Sequence, residues 1–129
     1  MLVYVALGSA LGGMSRYLVG GLVQRYWETA FPIGTLFVNI SGSFLIGLIL
    51  RYALTTPSFS PEIRGLLTIG FCGGYTTFST FSYETIAMLD SGEWGRAGLY
   101  VAASVFLSVA GTFLGIALAR EVIVLREHL

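Results

Sequence analysis

Residues Gly70-Phe71-Cys72-Gly73-Gly74-Tyr75-Thr76-Thr77-Phe78-Ser79-Thr80-Phe81-Ser82 lie inside a segment apolar enough to cross a membrane. They are the residue types a membrane helix usually avoids. Glycine weakens a helix, and Ser and Thr hydroxyls offer the backbone competing hydrogen bonds. In hydrocarbon, irregular backbone survives only where protein or a water-filled cavity surrounds it. The run therefore predicts a broken helix. With two phenylalanines three residues apart among hydroxyls just beyond it, the run also predicts an ion site. A Gly/Thr-rich packing face is the plainer reading.

The rest of the chain fits a membrane setting. Of its 129 residues 55% are apolar and 11% charged, and the mean hydropathy is +0.80, far from the soluble globular range. Seven basic residues balance seven acidic ones and every basic residue is arginine, so no basic tract exists to follow a phosphate backbone and no nucleic acid is expected as a partner. One cysteine, Cys72, makes no internal disulfide, and with the single His128 it makes no zinc site. The N-terminus enters apolar sequence directly, which reads as a retained helix.

About 20 helical residues cross a bilayer core. Four runs are long enough: Leu2 to Leu22, Ile33 to Leu54, Ile63 to Leu89 and Ala97 to Ala119. Short polar breaks separate them, and Pro32, Pro57 and Pro61 all fall there, where a missing N–H costs least. The expectation is an all-α membrane protein, a single domain over residues 1–129 with four transmembrane helices and a break in the third. With both termini on one side, that side holds Arg51, Arg64, Arg120 and Arg126 against Arg25 and Arg96. Such a bias orients the chain only weakly. Insertion both ways, and with it an antiparallel dimer, stays open.

Residues four apart share a helical face. On the second span Thr35 and Asn39 do so, followed by Gly42, Ser43 and Gly47. On the fourth, Tyr100, Ser104, Ser108 and Thr112 make an unbroken hydroxyl stripe, read as a ladder of donors along a wet path. A hydroxyl alone can bond its own helix; four in register are harder to explain that way. Gly8 with Gly12, Ser43 with Gly47, and Gly111 with Gly115 have the spacing that lets helices approach closely, so the bundle is tight and any path narrow. Arg16 and Glu84 are ionisable residues within the spans, candidates for a vestibule or interface, with snorkelling as the alternative for Arg16. Aromatics three apart usually pack. The edge of an aromatic ring is positive, however, and Phe78 and Phe81 presented edge-on beside the Asn39 amide could replace part of an anion's water shell. A small monovalent anion fits that set.

At these residues the chain resembles the Fluc (CrcB) family of fluoride channels over essentially its whole length. The matching elements are Gly12-Gly13-x-x-Arg16-Tyr17, Gly34-Thr35-x-x-Val38-Asn39-x-x-Gly42-Ser43-Phe44-x-x-Gly47, and Gly70-Phe71-x-Gly73-Gly74-x-Thr76-Thr77-Phe78-Ser79-Thr80-Phe81-Ser82-x-Glu84. The resemblance implies an antiparallel, dual-topology homodimer in the cell (inner or plasma) membrane, in contact with lipid, carrying two fluoride pathways. Fluoride, which enters a cell as neutral HF and dissociates inside, would leave passively. By the same resemblance Phe78, Phe81, Asn39, Tyr100, Ser104, Ser108 and Thr112 line those pathways, and the backbone carbonyls of Gly73 and Thr76 hold a structural sodium ion at the two-fold. The residues agree on that last point, because a broken helix frees carbonyls and Gly73-Gly74 would permit the unwinding. The family's first-helix arginine matches Arg16, with no duty derived for it.

The competing reading is a proton-coupled exporter of cationic drugs of the small multidrug-resistance type, also a four-span antiparallel dimer. That chemistry needs a carboxylate in the first helix, where this chain has Arg16 and no acid. A noncatalytic scaffold would leave the hydroxyl stripe unexplained. No nucleophile–base set or metal cluster marks an enzyme.

Overall fold

The computed structural model describes all 129 residues, and they form helices and short connections without a strand. Helix α1 is Leu2–Trp27 and α2 is Ile33–Thr55. The third span is assembled from pieces: α3 (Pro61–Gly65), a π-helical stretch Leu66–Cys72, α4 (Gly73–Tyr75) and, after an interruption, α5 (Phe78–Asp90). Helix α6 runs Trp94–Glu127. Three of these helices, α1, α2 and α6, are singly long and apolar enough to cross a membrane.

Local chemistry sets the ends. Glu28 closes α1 in the left-handed conformation (φ 44°). The Gln24 side chain then ties the following turn to both helices. Its amide nitrogen donates to the carbonyls of Thr29 (2.7 Å) and Phe31 (3.0 Å), and its oxygen accepts from the Gly34 amide (3.1 Å). Ser60 caps α3 by accepting from the Ile63 amide, with Pro61 in the first helical position. Gly92 (φ 76°) makes the turn from α5 to α6.

Backbone-on-backbone packing holds the spans together. A methyl group on Gly8 would run into the Leu66 carbonyl, and one on Gly12 into the Phe71 carbonyl, so α1 lies directly on the third span and parallel to it. Helices α2 and α6 are parallel too: Ile40 lies beside Gly111, Phe44 beside Gly115, and Gly47 against Thr112. Small residues permit such contact, and in lipid close packing is the main source of helix association. Only 22 residues are buried, and large apolar side chains such as Leu11, Leu18, Phe106 and Phe113 point outward. In water that surface would aggregate; in a bilayer it is the solvent-facing side.

The break lies further along the chain than the sequence predicts. Gly73 is helical (φ −64°, ψ −38°), and the backbone turns extended at Thr76 (φ −90°, ψ 157°) and Thr77 (φ −150°, ψ 115°). Gly74 is needed for contact instead: a methyl there would come within 2.6 Å of the Ser9 carbonyl. Helix α6 also outruns its apolar segment, continuing from Ala119 through Glu127.

Candidate functional site

The interruption at Thr76 and Thr77 is stabilised from α2. Asn39 donates from its amide nitrogen to the Thr77 carbonyl (3.1 Å), and its side-chain oxygen accepts from the Thr77 amide (2.7 Å). Both backbone polar groups of one residue, orphaned by the break, are thereby satisfied at membrane depth, where each left bare would cost several kcal/mol. Thr77 in turn caps α5, its hydroxyl accepting from the Thr80 amide (3.2 Å).

Around this point lies a cavity of about 590 Å³, open on one side. It brings together Asn39, Gly73, Thr76, Phe78, Phe81, Ser104 and Ser108. The carbonyls of two of its lining residues, Gly73 and Thr76, accept no hydrogen bond: the Thr76 amide and hydroxyl both go to Cys72 O, and the Thr77 amide goes to Asn39. The Ser104 hydroxyl is buried without a partner. The Phe78 and Phe81 rings are tilted at 52° with centroids 5.5 Å apart, and Phe81 meets Tyr100 at 5.1 Å. Their settings differ sharply, since Phe81 is 9% exposed and Phe78 78%.

A second, polar cavity of about 440 Å³ lies on the other side of Thr77, which borders both. Its walls include Arg16, Gln24, Thr35, Thr80 and Glu84. The Glu84 carboxylate accepts from the Thr35 hydroxyl (2.6 Å) and from the Tyr100 hydroxyl (3.4 Å). Arg16 donates from Nε to the Gly74 carbonyl (3.0 Å). It has no carboxylate partner, the sole ion pair of the chain being Arg96–Glu93.

The hydroxyl stripe on α6 therefore divides into three environments. Tyr100 is fully buried in an aromatic cluster with Phe31 and Phe81. Ser104 and Ser108 face the first cavity, while Thr112 is spent on packing, donating to the Ser43 (3.0 Å) and Ser108 (3.2 Å) carbonyls. Sequence reasoning missed the Arg16–Gly74 bond and the Gln24 clamp. It also noted Thr35 only as a face-mate of Asn39, although that i, i+4 relation was a usable signal.

A tight bundle with an apolar exterior, one interrupted span and two cavities meeting at the interruption defines a multi-pass protein of the cell membrane. The family model described as CrcB-like protein, Camphor Resistance (CrcB), matches residues 3–116, and the chain belongs to that family. It is 53% identical over 117 residues to a protein of Geobacter sulfurreducens named fluoride-specific ion channel FluC, covering 91% of this chain and 94% of that one. Identity is 51% over 120 residues with the protein of the same name from Geobacter metallireducens, covering 93% and 97%. It is 53% over 111 residues with that of Thermus thermophilus, covering 86% and 88%.

Proposed function

We infer that this protein is a fluoride channel, passing the anion passively out of the cytoplasm through an antiparallel homodimer. One observation carries the reading: Asn39, Phe78, Phe81, Ser104 and Ser108 surround one cavity at a helix break, in a chain whose relatives are named fluoride-specific ion channels. The protein is not an enzyme.

The chemistry of the walls supports it. Fluoride must surrender part of a tightly held water shell, and uncompensated desolvation of a charge is prohibitive. The Ser104 hydroxyl, without a protein partner, and the second N–H of Asn39, left over from its contacts with Thr77, are neutral donors suited to replacing that water. The positive ring edges of Phe78 and Phe81 add attraction without a fixed charge that would trap the ion. Beyond Thr77, Thr35, Glu84 and Arg16 furnish a polar vestibule.

A second copy of the chain suits the open side of the cavity, where Phe78, Ile69 and Gly73 are exposed. The Gly73 and Thr76 carbonyls fit a structural sodium ion, because neutral oxygens without hydrogen-bond partners are what a hard monovalent cation takes. Bound there, sodium would tie the two breaks together. The drug-exporter alternative is not favoured: α1 carries no acid from Leu2 to Trp27.

Fluoride efflux from liposomes holding the purified protein, with chloride as the control, tests the function. Fluoride release well above chloride release is expected; equal rates, or proton-coupled export of a cationic dye, would refute it.

A further inference from the structure

We propose that Arg16 and Asn39 are positioning residues that hold the break of the third span open from two sides, and so decide which of its carbonyls stay free.

A helix end leaves its last four carbonyls without intrahelical partners. For α4 with its cap residue these belong to Gly73, Gly74, Tyr75 and Thr76. Cys72 O is satisfied locally by the Thr76 amide (3.0 Å) and hydroxyl (2.9 Å). Gly74 O is satisfied from 58 residues away, by Arg16 Nε at 3.0 Å. Beyond the extended Thr76, the N–H and C=O of Thr77 are both taken by Asn39, 38 residues away. What remains unbonded is the set Gly73, Tyr75 and Thr76.

The two side chains act at either edge of the extended pair Thr76–Thr77 and come from different helices, α1 and α2. The local contribution to the interruption is the Thr77 cap on the Thr80 amide, which starts α5 but does not end α4: Gly73 is helical, and neither Thr76 nor Thr77 has a backbone conformation that β-branched residues avoid. Regular helix would bond the Thr77 amide to Gly73 O and the Phe78 amide to Gly74 O. Asn39 removes the first donor and Arg16 occupies the second acceptor. Each therefore competes directly with one of the hydrogen bonds that would heal the helix. Arginine suits this duty because its fork keeps Nε on one carbonyl while the rest of the guanidinium reaches the polar vestibule.

The functional half of this inference rests on the channel reading; the structural half does not, and the test separates them. Amide hydrogen exchange would be followed in the purified full-length protein in lipid nanodiscs for the parent, N39L, N39D and R16Q, with ¹³C-carbonyl NMR of glycine-labelled protein. The Thr77 amide is expected to exchange at least about tenfold faster in N39L, and to keep its protection in N39D, which retains the acceptor oxygen. The Gly74 carbonyl resonance should shift in R16Q while that of Gly47, packed between α2 and α6, stays in place. Fluoride efflux should fall in N39L and R16Q with exchange in α2 and α6 unchanged. Unchanged Thr77 exchange in N39L, an unmoved Gly74 resonance in R16Q, or a uniform rise in exchange across all helices overturns the positioning role. Local loosening with full fluoride efflux overturns its link to conduction. Absence of fluoride efflux in the parent, with the local changes present, would instead strike the channel reading.

Discussion

Replacing Gly74 by alanine is the sharpest test of how the break is supported. A methyl group at that position would meet Ser9 O at 2.6 Å, Ser9 Cα at 3.1 Å and Gly13 N at 3.2 Å, whereas ordinary contact begins near 3.4 Å. All three obstacles are backbone, so no side-chain rotation relieves them. Helix α1 and α4 must move apart by roughly 0.8 Å, in the range where overpacking costs about 1–3 kcal/mol. The same displacement lengthens the Arg16 Nε–Gly74 O bond from 3.0 Å beyond hydrogen-bonding range, which adds about 1 kcal/mol or more for a charged donor. The sum, about 2–4 kcal/mol, corresponds to roughly 30- to 1000-fold in the folded-to-unfolded ratio. The control is Gly13→Ala on the facing stretch of α1, where a methyl group meets nothing within 4 Å. Denaturant unfolding in mixed detergent micelles would compare parent, G74A and G13A. A G74A protein within 0.5 kcal/mol of the parent, or a G13A protein as weak as G74A, would refute the packing argument.

Phe81→Ile, which empties a ring position between Phe78 and Tyr100, should cost about 1 kcal/mol of stability as well as fluoride flux, while Phe78→Ile should lower flux with little change in protomer stability. Thermal melts alongside efflux assays would decide, and two variants conducting like the parent would make these rings mere packing. Gln24→Leu removes three hydrogen bonds at the α1–α2 turn and is expected to destabilise by about 2–3 kcal/mol without altering fluoride-over-chloride preference; a change in selectivity measured in liposomes would contradict this. Thr76→Val deletes the hydroxyl bond to Cys72 O but leaves the Thr76 carbonyl, so any sodium-dependent rise in melting temperature should shrink only modestly. Its complete loss would mean that the hydroxyl itself, not the carbonyl, is the ligand.

Much of this arrangement was legible in the chain. Apolar runs between polar breaks, two of the three containing proline, gave the spans, because length and hydropathy are properties a segment carries by itself. The interruption of the third span was legible for the same reason. Its location was not, since several hydroxyls of the run could have capped a helix, and the contact with Asn39 that selects Thr77 is announced by no local pattern. Gly73-Gly74 looked like the hinge because glycine serves flexibility and close approach equally well, and only the position of α1 decides between them. The hydroxyl stripe showed which residues share a face of α6. It could not show that α2 would cover Thr112 while Ser104 opened onto a cavity. The C-terminal end of α6 was missed because a membrane span ends where apolarity does, whereas a helix continues through Arg120, Glu121, Arg126 and Glu127, all good helix formers.

The split third span brings two helix ends close together part-way along one span. The carbonyl end of α4 carries a partial negative charge and the amide end of α5 a partial positive one, each on the order of half an elementary charge. A pair of opposite poles thus stands within two residues, supplied by the backbone itself, with the Arg16 guanidinium set against the negative one at Gly74 O. Peptide dipoles do not titrate. The share of the field that these dipoles supply consequently keeps its sign and strength across the whole range of pH that the two faces of a cell membrane experience, whatever the charge on Glu84 in the neighbouring cavity.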